Sequence, residues 1–179
     1  MLKAEHITKQ YQIPGGGHTV FDAVSDVSIE LGNGGVTAIV GESGCGKSVT
    51  ATSIMRLLPK ENSVISKGEI LLGGRDILKM SEKEIRQVRG NQISMIFQDP
   101  MTALNPVHTI GKQLVEMYRV HSKISKAEAY EKSVDMLELV GIPLPRQRME
   151  EYPHQLSGGM RQRVMIAMAL SCNPDLLIA

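Results

Sequence analysis

Hydrophobic and polar positions change rhythm along the chain, and each rhythm predicts a different element. Residues 2–7 and 24–31 alternate with a period near two, which predicts two strands with one covered face. Gly32-Asn33-Gly34-Gly35 is a turn signal. Val36-Thr37-Ala38-Ile39-Val40 is a β-branched run that ends at Gly41, and it predicts a buried strand feeding a glycine loop. Residues 49–58 predict a helix stopped by Pro59. Glu69-Ile70-Leu71-Leu72 with Gly73-Gly74 predicts a strand and a turn. Ser81-Glu82-Lys83-Glu84 is a capping box opening a short helix that runs to Gly90. Residues 93–97 predict a second buried strand.

From about residue 105 to 155 the rhythm becomes helical. Ile110, Leu114, Met117 and Tyr118 share one helix face. Ser125-Lys126-Ala127-Glu128 caps another helix, which carries Val134, Leu137 and Val140 and stops at Gly141. Pro143 and Pro145 mark a loop. Ser157-Gly158-Gly159 opens an apolar helix over 160–170, and Leu176-Leu177-Ile178-Ala179 predicts a third buried strand.

Composition narrows the function classes. The 179 residues suit one domain, or one domain and part of another. Lys plus Arg is 20 against 19 acidic residues, a net charge of +1. That balance argues against a dedicated nucleic-acid binder or a polybasic membrane anchor. Aromatics at 3% and the absence of Trp argue against base-stacking platforms. No apolar run is long enough to span a bilayer, and the start MLKAEHITKQYQ has no signal-peptide pattern. Cys45 and Cys172 form neither a disulfide framework nor a metal-ligand spacing, so a cytosolic, reducing location fits. Met95, Met160, Met165 and Met168 read as core packing, and Glu150-Glu151 as a solvated helix end. Arg161 and Arg163 read as a helix turn facing a dimer partner or solvent.

Two stretches carry chemistry. Gly41-Glu42-Ser43-Gly44-Cys45-Gly46-Lys47-Ser48 matches G-x-x-x-x-G-K-[ST] without a gap. Glycines let backbone N–H groups wrap around phosphate oxygens, and the helix that follows points its positive end at the same place. Lys47 supplies a mobile charge for the β- and γ-phosphates, and the Ser48 hydroxyl is a hard ligand for Mg²⁺. Cys45 reads as a small residue at a variable loop position. The second stretch, Leu156-Ser157-Gly158-Gly159-Met160-Arg161-Gln162-Arg163, has a Ser cap and two glycines at another positive helix end.

Together the two stretches resemble the nucleotide-binding domain of ABC transporters, with a Walker A loop and a signature motif. The resemblance implies an α/β P-loop NTPase of the ABC ATPase type. It has an N-terminal antiparallel β subdomain, an inserted α-helical subdomain and a central sheet incomplete at its C-terminal side. The implied partition is 1–104 for the β subdomain and the start of the core, 105–155 for the helical subdomain, and 156–179 for the signature helix and the Walker B strand. Gln98 matches the Q-loop glutamine, which contacts Mg²⁺ and the attacking water, and Tyr11 is placed like the aromatic that stacks on adenine. ATP would be held by Tyr11, Gly41 to Ser48, Val49 and Gln98. Ser157, Gly158 and Gly159 would close over the nucleotide of a second subunit. Lys47 and Gln98 are the implied catalytic residues, and Ser48 and Gln98 the implied Mg²⁺ ligands.

A finer resemblance is to the oligopeptide, dipeptide and nickel importer ATPases. It rests on Gln98-Asp99-Pro100-Met101-Thr102-Ala103-Leu104-Asn105-Pro106, on Gly46-Lys47-Ser48-Val49-Thr50 followed by Leu57-Leu58-Pro59, and on residues 152–163. The D-type subunit is the better match, although Gly15-Gly16-Gly17-His18-Thr19-Val20 resembles the longer turn of the F-type. The implied partners are a second ATPase subunit, two membrane permeases and, indirectly, an external solute-binding protein, with no nucleic acid. The implied location is peripheral, at the cytoplasmic face of the inner membrane. The family continues past its apolar strand with a Walker B Asp and a catalytic Glu, and later with a D-loop and a switch histidine. None of His6, His18, His108, His121 or His154 follows the signature helix. The sequence therefore reads as the N-terminal part of an ABC ATPase, cut before its general base, with weak ATP binding and no hydrolysis of its own. A non-transport ABC ATPase of DNA maintenance or translation is the alternative. The short spacing between Lys47 and Gly158 and the lack of any CxxC pair favour transport.

Overall fold

The computed structural model describes residues 1–12, 19–57, 63–99 and 103–179. The predicted turn at 15–18, the helix stop at Pro59 and the positions Pro100, Met101 and Thr102 lie outside them. The described chain forms two compact units, Met1–Ile85 and Arg86–Ala179.

The first unit is built on an antiparallel sheet. Its strands are β1 (Leu2–Gln12), β2 (Val20–Leu31), β3 (Ser63–Leu72) and β4 (Arg75–Asp76), in the order β2-β1-β3-β4. Leu2, Ala4, Ile7, Val24, Ile70 and Leu72 are its buried apolar positions. The first strand runs past the predicted residue 7, because a bulge interrupts its alternation. Register shifts occur in both ladders between residues 4 and 9. At that level His6 and Asp26 both take φ near +53°, and Gly68 takes +96°. Across it, His6 Nδ1 meets Asp26 Oδ1 at 2.7 Å on the exposed side. A Cβ at Gly68 would lie 2.4 Å from the Glu5 carbonyl oxygen, so only glycine lets β3 follow the kink. The extra residue breaks the alternation: Leu2 and Ala4 are buried before the bulge, and Ile7, Thr8 and Lys9 in succession after it.

The helix α1 (Lys47–Ile54) starts two residues before the predicted point and ends earlier. Arg56 terminates it at φ +51°. Its guanidinium donates to the carbonyls of Ile77 at 2.9 Å and Met80 at 2.7 Å, and pairs with Glu82 at 3.3 Å. Tertiary hydrogen bonds thus hold a left-handed residue where the sequence suggested proline as the stop. The largest departure is residues 36–40. They are not a strand: Val36 is 98% exposed, Val40 91% and Ile39 46%. The β-branched composition is right for a strand. A strand also needs a backbone partner, and no ladder among the described residues reaches this run.

The helix α2 (Glu82–Val88) opens with the predicted capping box. Ser81 N donates to Glu84 Oε2 at 2.8 Å, and Glu84 N donates to Ser81 Oγ at 3.3 Å. In the second unit β5 (Ile93–Met95) pairs in parallel with β6 (Leu176–Ile178), joining Ile93 to Leu176 and Met95 to Ile178. Between them run α3 (Ile110–His121), α4 (Lys126–Leu139), α5 (Pro145–Met149) and α6 (Gly158–Leu170). Pro143 lies in the predicted loop. Pro145 instead occupies the first turn of α5, where its missing N–H costs nothing. Ile110, Leu114, Leu137 and Val164 are fully buried in one cluster, with Met160 and Met168 packed against it. Each such leucine or isoleucine contributes roughly 1.5–3 kcal/mol by leaving water. Glu151 is not a solvated helix end: Arg148 donates to its Oε1 at 2.5 Å, and the pair is largely covered. Among the described residues no helix is long and apolar enough to cross a membrane.

Candidate phosphate-binding site

The loop 41–48 folds as its spacing requires. Gly44 and Gly46 take φ of +82° and +94°. A Cβ on Gly46 would sit 2.8 Å from the Ala23 carbonyl oxygen, so a side chain there meets both backbone strain and backbone atoms. Lys47 then opens α1, and its ammonium turns back into the loop. Nζ donates to the carbonyls of Gly41 at 2.7 Å and Glu42 at 2.6 Å, and lies 3.7 Å from Cys45 Sγ. Thr50 anchors the turn, with N at 2.8 Å and Oγ1 at 3.0 Å from the Gly46 carbonyl oxygen.

The capping of this helix end differs from that of α3, α4 and α6. Thr109, Ser125 and Ser157 cap α3, α4 and α6 with their side-chain oxygens. Gly46 has no side chain to cap α1, and the first turn holds no acidic residue. The partial positive charge there is not offset by local side chains, which suits an anion. Glu42, Ser43 and Cys45 are exposed, as is Ser48, which offers a hydroxyl in the first turn of α1. Val49 is half-buried, and its carbonyl accepts from Ser53 Oγ at 2.6 Å. Tyr11 is half-buried near the end of β1 in the same unit.

The other expected site residues lie in the second unit. Gln98 is exposed on a bend beyond β5, whose pairing with β6 extends through Ile96 N to the Ile178 carbonyl at 2.8 Å. Downstream, the buried amide of Gln113 pins the chain. Its Oε1 accepts from Asn105 N at 2.9 Å, and its Nε2 donates to the carbonyls of Asn105 and His108 at 3.0 Å each. Sequence reasoning missed this anchor, although a polar residue inside the apolar stripe of α3 was its signal. Ser157 Oγ accepts from Met160 N at 3.3 Å, and α6 begins at Gly158 rather than Met160. A Cβ on Gly158 or Gly159 would meet nothing within 4 Å, so packing inside the chain does not demand glycine at either position. Arg163 is exposed, in keeping with a helix turn that faces outward, and donates to the Gly141 carbonyl at 2.7 Å.

Known proteins are similar to this chain. The probable peptide ABC transporter ATP-binding protein y4tR of Sinorhizobium fredii is 55% identical over 164 residues, which cover 92% of this chain and 49% of that protein. The dipeptide transport ATP-binding protein DppD of Bacillus subtilis is 57% identical over 157 residues, covering 88% of this chain and 47% of that one. The chain spans about half the length of the curated relatives it matches. The ATP-binding cassette MJ0796, solved as a dimer in a post-hydrolysis state bound to ADP and Pi, matches with a TM-score of 0.84 at 26% identity. That match covers 99% of this chain and 72% of the cassette. The ABC transporter family model matches residues 24–179, and with the loop and signature geometry above, the chain belongs to that family.

Proposed function

We propose that the chain is the nucleotide-binding part of the ATP-driven subunit of an importer. The subunit would power uptake of peptides, or of nickel, through partner permeases at the cytoplasmic face of the membrane. The observation that carries this is the loop 41–48, with its uncapped helix end and its inturned Lys47. On this reading, Lys47 exchanges its two carbonyl partners for the β- and γ-phosphates of ATP, and the loop backbone holds the remaining oxygens. Ser48 would offer a hydroxyl oxygen to Mg²⁺, which would neutralise charge on the phosphates, and Gln98 would take the Q-loop role of a further Mg²⁺ ligand that the resemblance implies. Tyr11 stacks on the adenine. Ser157, Gly158 and Gly159 close over the nucleotide of a second ATPase subunit, which their open surroundings allow. Lys47 and Gln98 are the chain's own contributions to hydrolysis, and losing one preorganised donor costs about 3 kcal/mol in the transition state. The relatives named for peptide and dipeptide transport support the solute class.

The test is calorimetric titration of the full chain with Mg-ATP, beside Lys47→Ala. Loss of one charged donor set is expected to weaken binding by about 10- to 100-fold. Equal affinity in a folded Lys47→Ala variant overturns the assignment.

A further inference from the structure

Lys9 is only 4% exposed, and among the described residues no carboxylate pairs with its ammonium. Its partner is aromatic. Nζ lies over the Tyr11 ring, 5.7 Å from the centroid, within the range of a cation–π contact. The bulge in β1 creates this placement. After it Lys9 lies beside Val24 of β2 and Ile65 of β3, and Tyr11 follows two residues on along the same face of the strand. Arg56, itself paired with Glu82, lines the same cavity, of about 240 Å³. Burial pushes the lysine below its ordinary range, as expected for an ammonium with no anion beside it. An uncompensated buried charge is costly, and the ring face is the compensation this fold supplies.

Lys9 is too covered to reach a nucleotide, so any effect on one passes through the ring. We propose that Lys9 is a positioning residue for adenine recognition: its ammonium fixes the Tyr11 ring from the protein side and draws electron density from it, so that the outer ring face is oriented and electron-poor for stacking on a purine. The inference rests on the assignment of Tyr11 to adenine made above. It adds a base-selective device to a site whose other contacts are to phosphate.

The experiment compares two probes, Mg-ATP and Mg-tripolyphosphate, in the full chain. Lys9→Met keeps the apolar stem and removes the charge. It is expected to raise the dissociation constant for Mg-ATP by about three- to tenfold and to leave that for Mg-tripolyphosphate unchanged. Lys9→Arg, which keeps a cation over the ring, restores the affinity. In a Tyr11→Ala background Lys9→Met has no further effect on Mg-ATP. If Lys9→Met does not fold, Lys9→Gln carries the same comparison. Equal weakening for both probes would show that Lys9 only holds the sheet, and unchanged Mg-ATP binding would show that it does nothing for the base; either overturns the inference. If Tyr11→Ala alone leaves Mg-ATP binding intact, the stacking assignment falls and the inference with it. If Tyr11→Ala weakens binding and Lys9→Met does not, only the inference falls.

Discussion

Gln113 is 6% exposed and carries a primary amide, a combination that holds only because both ends of the amide are hydrogen-bonded. Replacing it with Leu keeps most of the volume and removes the partners of the Asn105 N–H and of two carbonyls. Leaving such buried groups unpaired is expected to cost about 2–3 kcal/mol, read as a fall in the urea midpoint. A Gln113→Leu variant with an unchanged midpoint would mean that water replaces the amide and that the segment after Gln98 is held by something else. At this scale the sequence was legible where the partner is local. Ser81, Ser125 and Ser157 cap within three residues, and all three assignments agree with the structure. It misled where the partner is set by tertiary packing. Glu151 read as solvated because nothing in its spelling shows that Arg148 and the surrounding chain cover it. Lys9 lies beyond the predicted strand, and nothing in its spelling shows that the sheet covers it.

Elements show the same division. The helices of the second unit were legible from periodicity, since Ile110, Leu114 and Leu137 fall at helical spacing and are all fully buried. The β1 bulge was not legible, because it depends on His6, Asp26 and Gly68, which lie on three strands. The strand expected over 36–40 failed because pairing is a property of two segments. The C-terminal end of α3 allows a pH test. His121 closes that helix, and its Nε2 lies 3.0 Å from where a Cβ on Gly90 would stand. Burial lowers its pKa below the ordinary 6.5, so the folded state resists protonation more than the unfolded state does. Its contribution to stability is therefore complete above pH 6.5. It falls as pH drops from there toward the lower folded-state value, because the unfolded chain binds the proton first. The urea midpoint of the wild-type chain is expected to fall more between pH 7.5 and 5.5 than that of His121→Asn. Parallel declines would assign the pH dependence to other groups.

At the scale of the whole molecule, protection from solvent is unevenly distributed. The first unit has a paired sheet and the second a helical cluster. Between the sheet and the phosphate loop lies a β-branched run whose ends are almost fully exposed. Backbone amides without a ladder exchange readily, and those inside a sheet or a packed helix wait for an opening event. Hydrogen exchange of the full chain is therefore expected to show slow amides in the middle of β1 and in α3 and α6. Amides of 36–40 should exchange near the unprotected rate. Adding Mg-ATP should slow amides in 41–50, because bound phosphate engages the loop N–H groups and the first turn of α1, and should leave α3 unchanged. Strong protection of 36–40 without nucleotide would show that the run is paired after all, and the composition-based strand would then be correct. Slowing of 41–50 by ATP together with fast exchange at 36–40 would show that the loop holds phosphate through its own turn and helix end, without a paired strand before it.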